Sequence, residues 1–143
     1  MFKKLVLAVL MTFSLHAAEV HWAKDYQSAM ATAQKENKPV LFIISRDTCK
    51  YCVLLDNTTL KDDMVVKALN RDFVAYRAWT NKRDYIPMVL AQNTPGLPGI
   101  WFLLPDGTPM FQPVLGYVEK KNFIEMLSVV KETFDKQQKK GKK

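Results

Sequence analysis

Val40-Leu41-Phe42-Ile43-Ile44 is apolar at every position, so as a strand it offers neither face to water. Such a strand needs cover above and below, as at the centre of a sheet with helices on both sides. Ser45-Arg46-Asp47-Thr48 follows and leads into Cys49-Lys50-Tyr51-Cys52, which holds both of the 2 cysteines in the chain. The pair therefore falls where a buried strand hands over to a helix, at a spacing that lets two thiols meet across one turn. That makes it a redox candidate.

The surroundings of this core repeat the alternation of strand and helix. Trp22, Tyr26, Ala29, Met30 and Ala33 recur at spacings of three and four and predict an amphipathic helix that ends at Asn37-Lys38-Pro39, with Trp22 as a core plug. Beyond the cysteines, Val53, Leu54 and Leu55 continue a helix that Asp56-Asn57-Thr58-Thr59 interrupts. Asp62 or Asp63 caps a second helical stretch built on Val65, Val66, Ala68 and Leu69. Phe73 to Ala78 reads as the next strand, parallel to the first through a crossover connection. A short helix is expected over Ile86 to Ala91, with Pro87 in its first turn. Gln92 to Gly99 is then dense in breakers. Ile100 to Leu104 and Met110 to Leu115 flank Asp106-Gly107 and predict a hairpin, whose second strand lies at a sheet edge because Pro113 has no amide donor. Phe123, Ile124, Leu127, Val130 and Phe134 mark a final helix.

The ends of the chain carry its charge. Lys3 and Lys4, the apolar stretch Leu5 to Leu15 and Ala17-Ala18 form the pattern of an export signal, so residues 1–18 are expected to be a removable leader. Residues 19–135 are expected to form one domain. The formal net charge of +7 arises from Lys3, Lys4 and the lysines at 136, 139, 140, 142 and 143, and the body between is neutral. Nucleic acid is therefore not an expected partner. Residues 136–143 are expected to be a disordered basic tail.

An exported chain sits where disulfides persist, so a structural crosslink, a metal site and a reversible redox pair are all open readings. A crosslink stabilises more the longer the loop that it closes, so a bridge across two residues favours exchange over stability. Two soft thiolates could hold Cu(I), in a binding or carrier module for a metal or a client protein. A closed zinc site is poorly supplied with ligands, since His21 is the only histidine after the leader. No metal and no cofactor beyond the cysteine pair itself is expected.

Taken together, this order of elements resembles the thioredoxin fold over roughly Trp22 to Phe134, an α/β architecture with a central mixed sheet of about four to five strands flanked by helices. It is most similar to the exported thioredoxin-like group related to the C-terminal domain of the membrane electron transporter DsbD, through Lys38-Pro39, Cys49 to Cys52, Phe73-Val74 and Leu97-Pro98-Gly99. The resemblance implies a periplasmic, monomeric thiol-disulfide oxidoreductase acting on protein thiols and disulfides, more a reductant than an oxidase, with a membrane electron donor of the DsbD type. Cys49 would be the nucleophile at a helix N-terminus, helped by the charge of Lys50 and Arg46, and Cys52 would resolve the mixed disulfide. Pro98 would be the family's cis-proline, ahead of Pro95 as the alternative, with Leu97 and Tyr51 meeting the substrate. The chain departs from thioredoxin in carrying Ile43 where a buried acid stands, Thr48 in place of tryptophan and Lys50-Tyr51 in place of Gly-Pro. Proton transfer at Cys52 then needs another group, for which Asp47 and Asp56 are the candidates. The motif does not set the direction of electron flow, because family members span potentials of about −270 to −120 mV.

Overall fold

Hydrogen bonding along both edges puts the all-apolar segment at the centre of the sheet. In the computed structural model, which describes residues 17–142, β1 (Val40–Ser45) is buried at every position. It pairs in parallel with β2 (Val74–Trp79) and antiparallel with β3 (Gly99–Leu103), and β3 carries the short edge strand β4 (Val114–Leu115), in the order β2-β1-β3-β4. The sheet is mixed and four-stranded. Its alternating side chains feed two cores. Leu41 and Ile43 pack with α2 (Lys50–Asn57), α3 (Asp63–Asp72) and α5 (Lys120–Gly141). Val40, Phe42 and Ile44 pack with α1 (Tyr26–Glu36) and α4 (Met88–Gln92) on the other side.

Local chemistry sets the boundaries. Asp25 caps α1 in a reciprocal box with Ser28, and Asn37 closes it in the left-handed region at φ 50°. Asp62 accepts from the backbone of Met64 and Val65 and starts α3, after a 3-10 turn over Thr59–Lys61. The turn between β3 and β4 closes through the Gly107 amide on the Leu104 carbonyl at 2.9 Å, with Gly107 at φ 89°.

Three expectations are corrected. Trp22 lies outside α1, because the Asp25 cap starts the helix later and the Ala23 amide instead donates to the Ala75 carbonyl at 2.8 Å, which makes Trp22 a one-residue bridge beside β2. Met110 to Gln112 do not continue a strand, so β4 is only 2 residues long; Pro113 supplies no amide, and Met110 is held by one bond to the Phe102 carbonyl. The expected disordered tail is helical as far as Gly141, since Lys131 pairs with Asp135 and Lys136 with Glu132, each at 2.6 Å and one turn apart. Lysines in a last turn also suit the negative end of the helix dipole. The leader expected over residues 1–18 lies outside the described residues, save Ala17 and Ala18.

Candidate active site

Beyond Ser45 the chain leaves the sheet through a turn in which the Cys49 amide donates to the Arg46 carbonyl at 3.2 Å. Cys49 is thereby the N-cap of α2, and its Sγ accepts the Cys52 amide at 3.3 Å, a role that Ser, Asp or Asn oxygens fill elsewhere. Cys52, one turn further in, is buried, whereas Cys49 is half-buried; both are free thiols. Burial pushes the Cys52 thiol above its usual pKa and the hydrogen bond with Cys49 adds to this, while the Ser45 side chain and the Arg46 backbone pull the other way. One thiol therefore faces the surface and the other is kept protonated by its surroundings.

The breaker segment reaches this pair at the same end of the sheet, where Gly99 opens β3 opposite Ile44. The Leu97–Pro98 peptide bond is cis, Pro98 is buried, and the Leu97 carbonyl accepts a weak bond from the Cys49 thiol at 3.8 Å. Pro95, the alternative, is preceded by a trans bond. Thr94 pins the segment by donating to the Leu90 carbonyl at 2.6 Å and accepting from Trp101 Nε1 at 2.9 Å. Gly99 is required beside it, because a Cβ there would collide with the Thr94 methyl. Tyr51 and Lys50 lie exposed on the first turn of α2, so Cys49, Cys52, Leu97 and Pro98 meet while these two border the site from solvent.

Several neighbours were not picked out from sequence. The Pro98 carbonyl accepts from the Gly116 amide at 2.8 Å, which places exposed Leu115 and Tyr117 beside the proline loop. Thr59, in the 3-10 turn after α2, ties this segment down by donating to the Val118 carbonyl at 2.6 Å. Gly116, at φ 90°, was the available signal, but a glycine before a tyrosine reads equally well as a strand end.

Behind Cys52 the missing acid is replaced by a different arrangement. Ile43 is buried and pairs across the sheet with Arg77, whose guanidinium meets Asp56 at 2.8 and 3.2 Å. Asp56 stands four residues after Cys52 on α2, hence on the same face of that helix. Burial raises the Asp56 pKa against the opposing charges of Arg77 and Lys61, and burial lowers that of Arg77 against the opposing charges of Asp56 and Cys52. The other sequence candidates turn away. Asp47 is exposed and accepts from Asn81 at 2.6 Å, and Arg46 donates to Thr80 at 3.0 Å. Arg77 could have been found as the one charge inside an otherwise apolar strand. Among the described residues, no three His, Cys, Asp or Glu side chains come together as a metal site.

Residues 26–131 match the family described as a thioredoxin-like domain. The chain is 30% identical to the C-terminal domain of DsbD from Neisseria meningitidis in its reduced form, with a TM-score of 0.56, covering 71% of this chain and 90% of that one. A structure titled DsbH oxidoreductase shares the fold at a TM-score of 0.65 and 14% identity, over 87% of this chain and 92% of that one. Human spermatogenesis-associated protein 20 is 29% identical over 100 residues, 68% of this chain but only 13% of the relative's length.

Proposed function

Since the chain belongs to the thioredoxin-like family, we propose that it is an exported thiol-disulfide oxidoreductase that reduces protein disulfides and is itself recharged by a thiol donor of the DsbD type in the membrane. The observation that carries this reading is the asymmetry of the two thiols: Cys49 half-buried at the helix N-cap, where its Sγ accepts the Cys52 amide, and Cys52 buried one turn inside. The reducing direction draws on the similarity to the C-terminal domain of DsbD, which matches in both its oxidised and its reduced forms and so rests on the family and not on a redox state.

In this mechanism the Cys49 thiolate attacks one sulfur of a substrate disulfide, forming a mixed disulfide and releasing the other substrate sulfur as a thiolate. Cys52 then loses its proton to Asp56 and attacks Cys49 Sγ. The second substrate sulfur leaves, two electrons have passed to the substrate, and the chain holds a Cys49–Cys52 disulfide. The half-buried carbonyl of Leu97 and the exposed Tyr51, Leu115 and Tyr117 are the surfaces on which an extended segment would lie. Insulin reduction tests the proposal. Cys49→Ser is expected to abolish it, and Cys52→Ser to accumulate a mixed disulfide with substrate that runs as a larger species without reductant. Wild-type activity in Cys49→Ser would refute the mechanism.

A further inference from the structure

The Arg77 guanidinium lies over two indole rings. Its guanidinium carbon lies 4.1 Å from the centroid of the Trp22 ring and 5.1 Å from that of Trp79. Trp79 is two residues along the same strand and so on the same face of β2. Trp22 comes from the segment before α1, which is strapped to the domain at separate points. Asn70 donates to the Glu19 carbonyl at 2.8 Å and accepts from the His21 amide at 2.9 Å, and Ala23 bonds to Ala75. Trp22 also stands between two cavities. One of about 210 Å³ is lined by Glu19, Val20, Asp56, Leu60 and Lys61, the other of about 360 Å³ by Lys24, Tyr76, Trp79, Lys82 and Asp84, and both are walled by Trp22 and Arg77. Arg77 Nε is buried without a hydrogen-bond partner, so its fifth donor does not orient the head group. Only the Asp56 contact and the two rings do.

We infer that Trp22 is a positioning residue for the resolving half-reaction: it clamps the Arg77 guanidinium against Asp56 behind Cys52 and keeps solvent from the side that it covers. This rests on the proposed role of Cys52 and Asp56, and it assigns the segment before α1 a part in exchange although it is remote in sequence from both cysteines. The physical basis is a cation held over an indole, an attraction that grows when water is excluded. Without the ring the two cavities join, the guanidinium is hydrated and moves, and the positive charge that favours the Cys52 thiolate and the Asp56 carboxylate is lost. The other charged groups in these cavities, Glu19 and Lys61 on one side and Lys24, Lys82 and Asp84 on the other, remain in place, so the change is assignable to Arg77.

The test follows reduced protein reacting with the chromogenic disulfide dithiobisnitrobenzoate by stopped flow over a range of pH. Attack by Cys49 releases the first chromophore, and attack by Cys52 on the resulting mixed disulfide releases the second. Trp22→Leu, which keeps an apolar cover without a ring, is expected to slow the second release about threefold to tenfold at neutral pH and to move its pH profile upward, leaving the first release within about twofold. Trp22→Phe is expected to restore most of the rate. In an Arg77→Met background, Trp22→Leu is expected to have no further effect. Should the leucine variant not fold, Trp22→Met makes the same comparison. A folded leucine or methionine variant with a wild-type second release, or an equal slowing in the Arg77→Met background, overturns the inference. Absence of a second release in the wild type would instead sink the exchange mechanism itself, so the two failures are distinct.

Discussion

Removing Arg77 alone is expected to cost more than removing the ion pair entirely. Arg77→Met leaves the Asp56 carboxylate under α2 without its cation, while the methionine still fills the space between Trp22 and Trp79. Breaking a fully buried pair from one side costs about 3–5 kcal/mol, chiefly through the charge left uncompensated. Here the two side chains keep 15% and 23% of their exposure, so a value near the low end is expected, about 3 kcal/mol. For a domain of this size that corresponds to a fall in Tm of about 10 °C. Asp56 limits the loss by taking up a proton, an uptake that its burial already favours, so the deficit is expected to shrink as the pH is lowered. Arg77→Met/Asp56→Leu has no orphaned charge and is expected to lie within about 1 kcal/mol of wild type. Urea unfolding followed by circular dichroism measures all three proteins, with m-values checked for equality. If Arg77→Met loses less than about 1 kcal/mol, or if the double variant is no more stable than the single one, the reasoning that this pair is buried and interdependent is wrong. The double variant should also be folded but slow in the second chromophore release, which would assign the pair to exchange and not to stability.

Asp56 also predicts a pH dependence of unusual sign. Its folded pKa is raised, so the folded state holds the proton more tightly than the unfolded chain; the resulting stability is present at acid pH and is lost as the pH rises through the folded value. The stability of wild type relative to Asp56→Asn is therefore expected to fall as the pH rises past the ordinary carboxylate value of about 4, and a constant or rising difference in urea titrations would contradict it. Thr94→Val is expected to cost about 2 kcal/mol, because Trp101 Nε1 would be left without its acceptor inside a side chain that is 3% exposed. Thr94→Ser keeps the acceptor and should unfold close to the wild-type urea midpoint; equal loss in both variants would place the effect in packing.

Much of the frame was legible because it depends on local chemistry. Val40 to Ile44 is apolar on both faces and could only be a central strand. Asp62 is a capping side chain at the head of an amphipathic period, and Asp106-Gly107 separates two apolar runs. Leu97-Pro98-Gly99 and the cysteine pair were read as one site through resemblance, and the fold brings them to a contact of 3.8 Å. Trp22 was misread because a spacing of four residues to Tyr26 looks helical until the Asp25 cap is seen to start the helix between them. The basic tail reads as disordered because its lysines show no apolar period, whereas α5 runs on into it from an i,i+4-paired turn whose last pair joins Lys136 to Glu132.

The chain by itself determined that two thiols stand at the head of a helix behind a buried strand, since periodicity, breakers and motif spacing are properties of neighbouring residues. It offered Asp47 and Asp56 as candidates for the proton at Cys52 but could not choose between them, because the surroundings that set Asp56 apart come from residues distant in sequence. Asp56 comes from α2, Arg77 from β2 and Trp22 from the segment before α1, and only the pairing of β1 with β2 and the strap beside Ala75 bring them together. Burial is decided at the same level. The shifts at Cys52, Asp56 and Arg77 all have exclusion of water as their largest cause, and no stretch of sequence excludes water until the sheet and helices close around it.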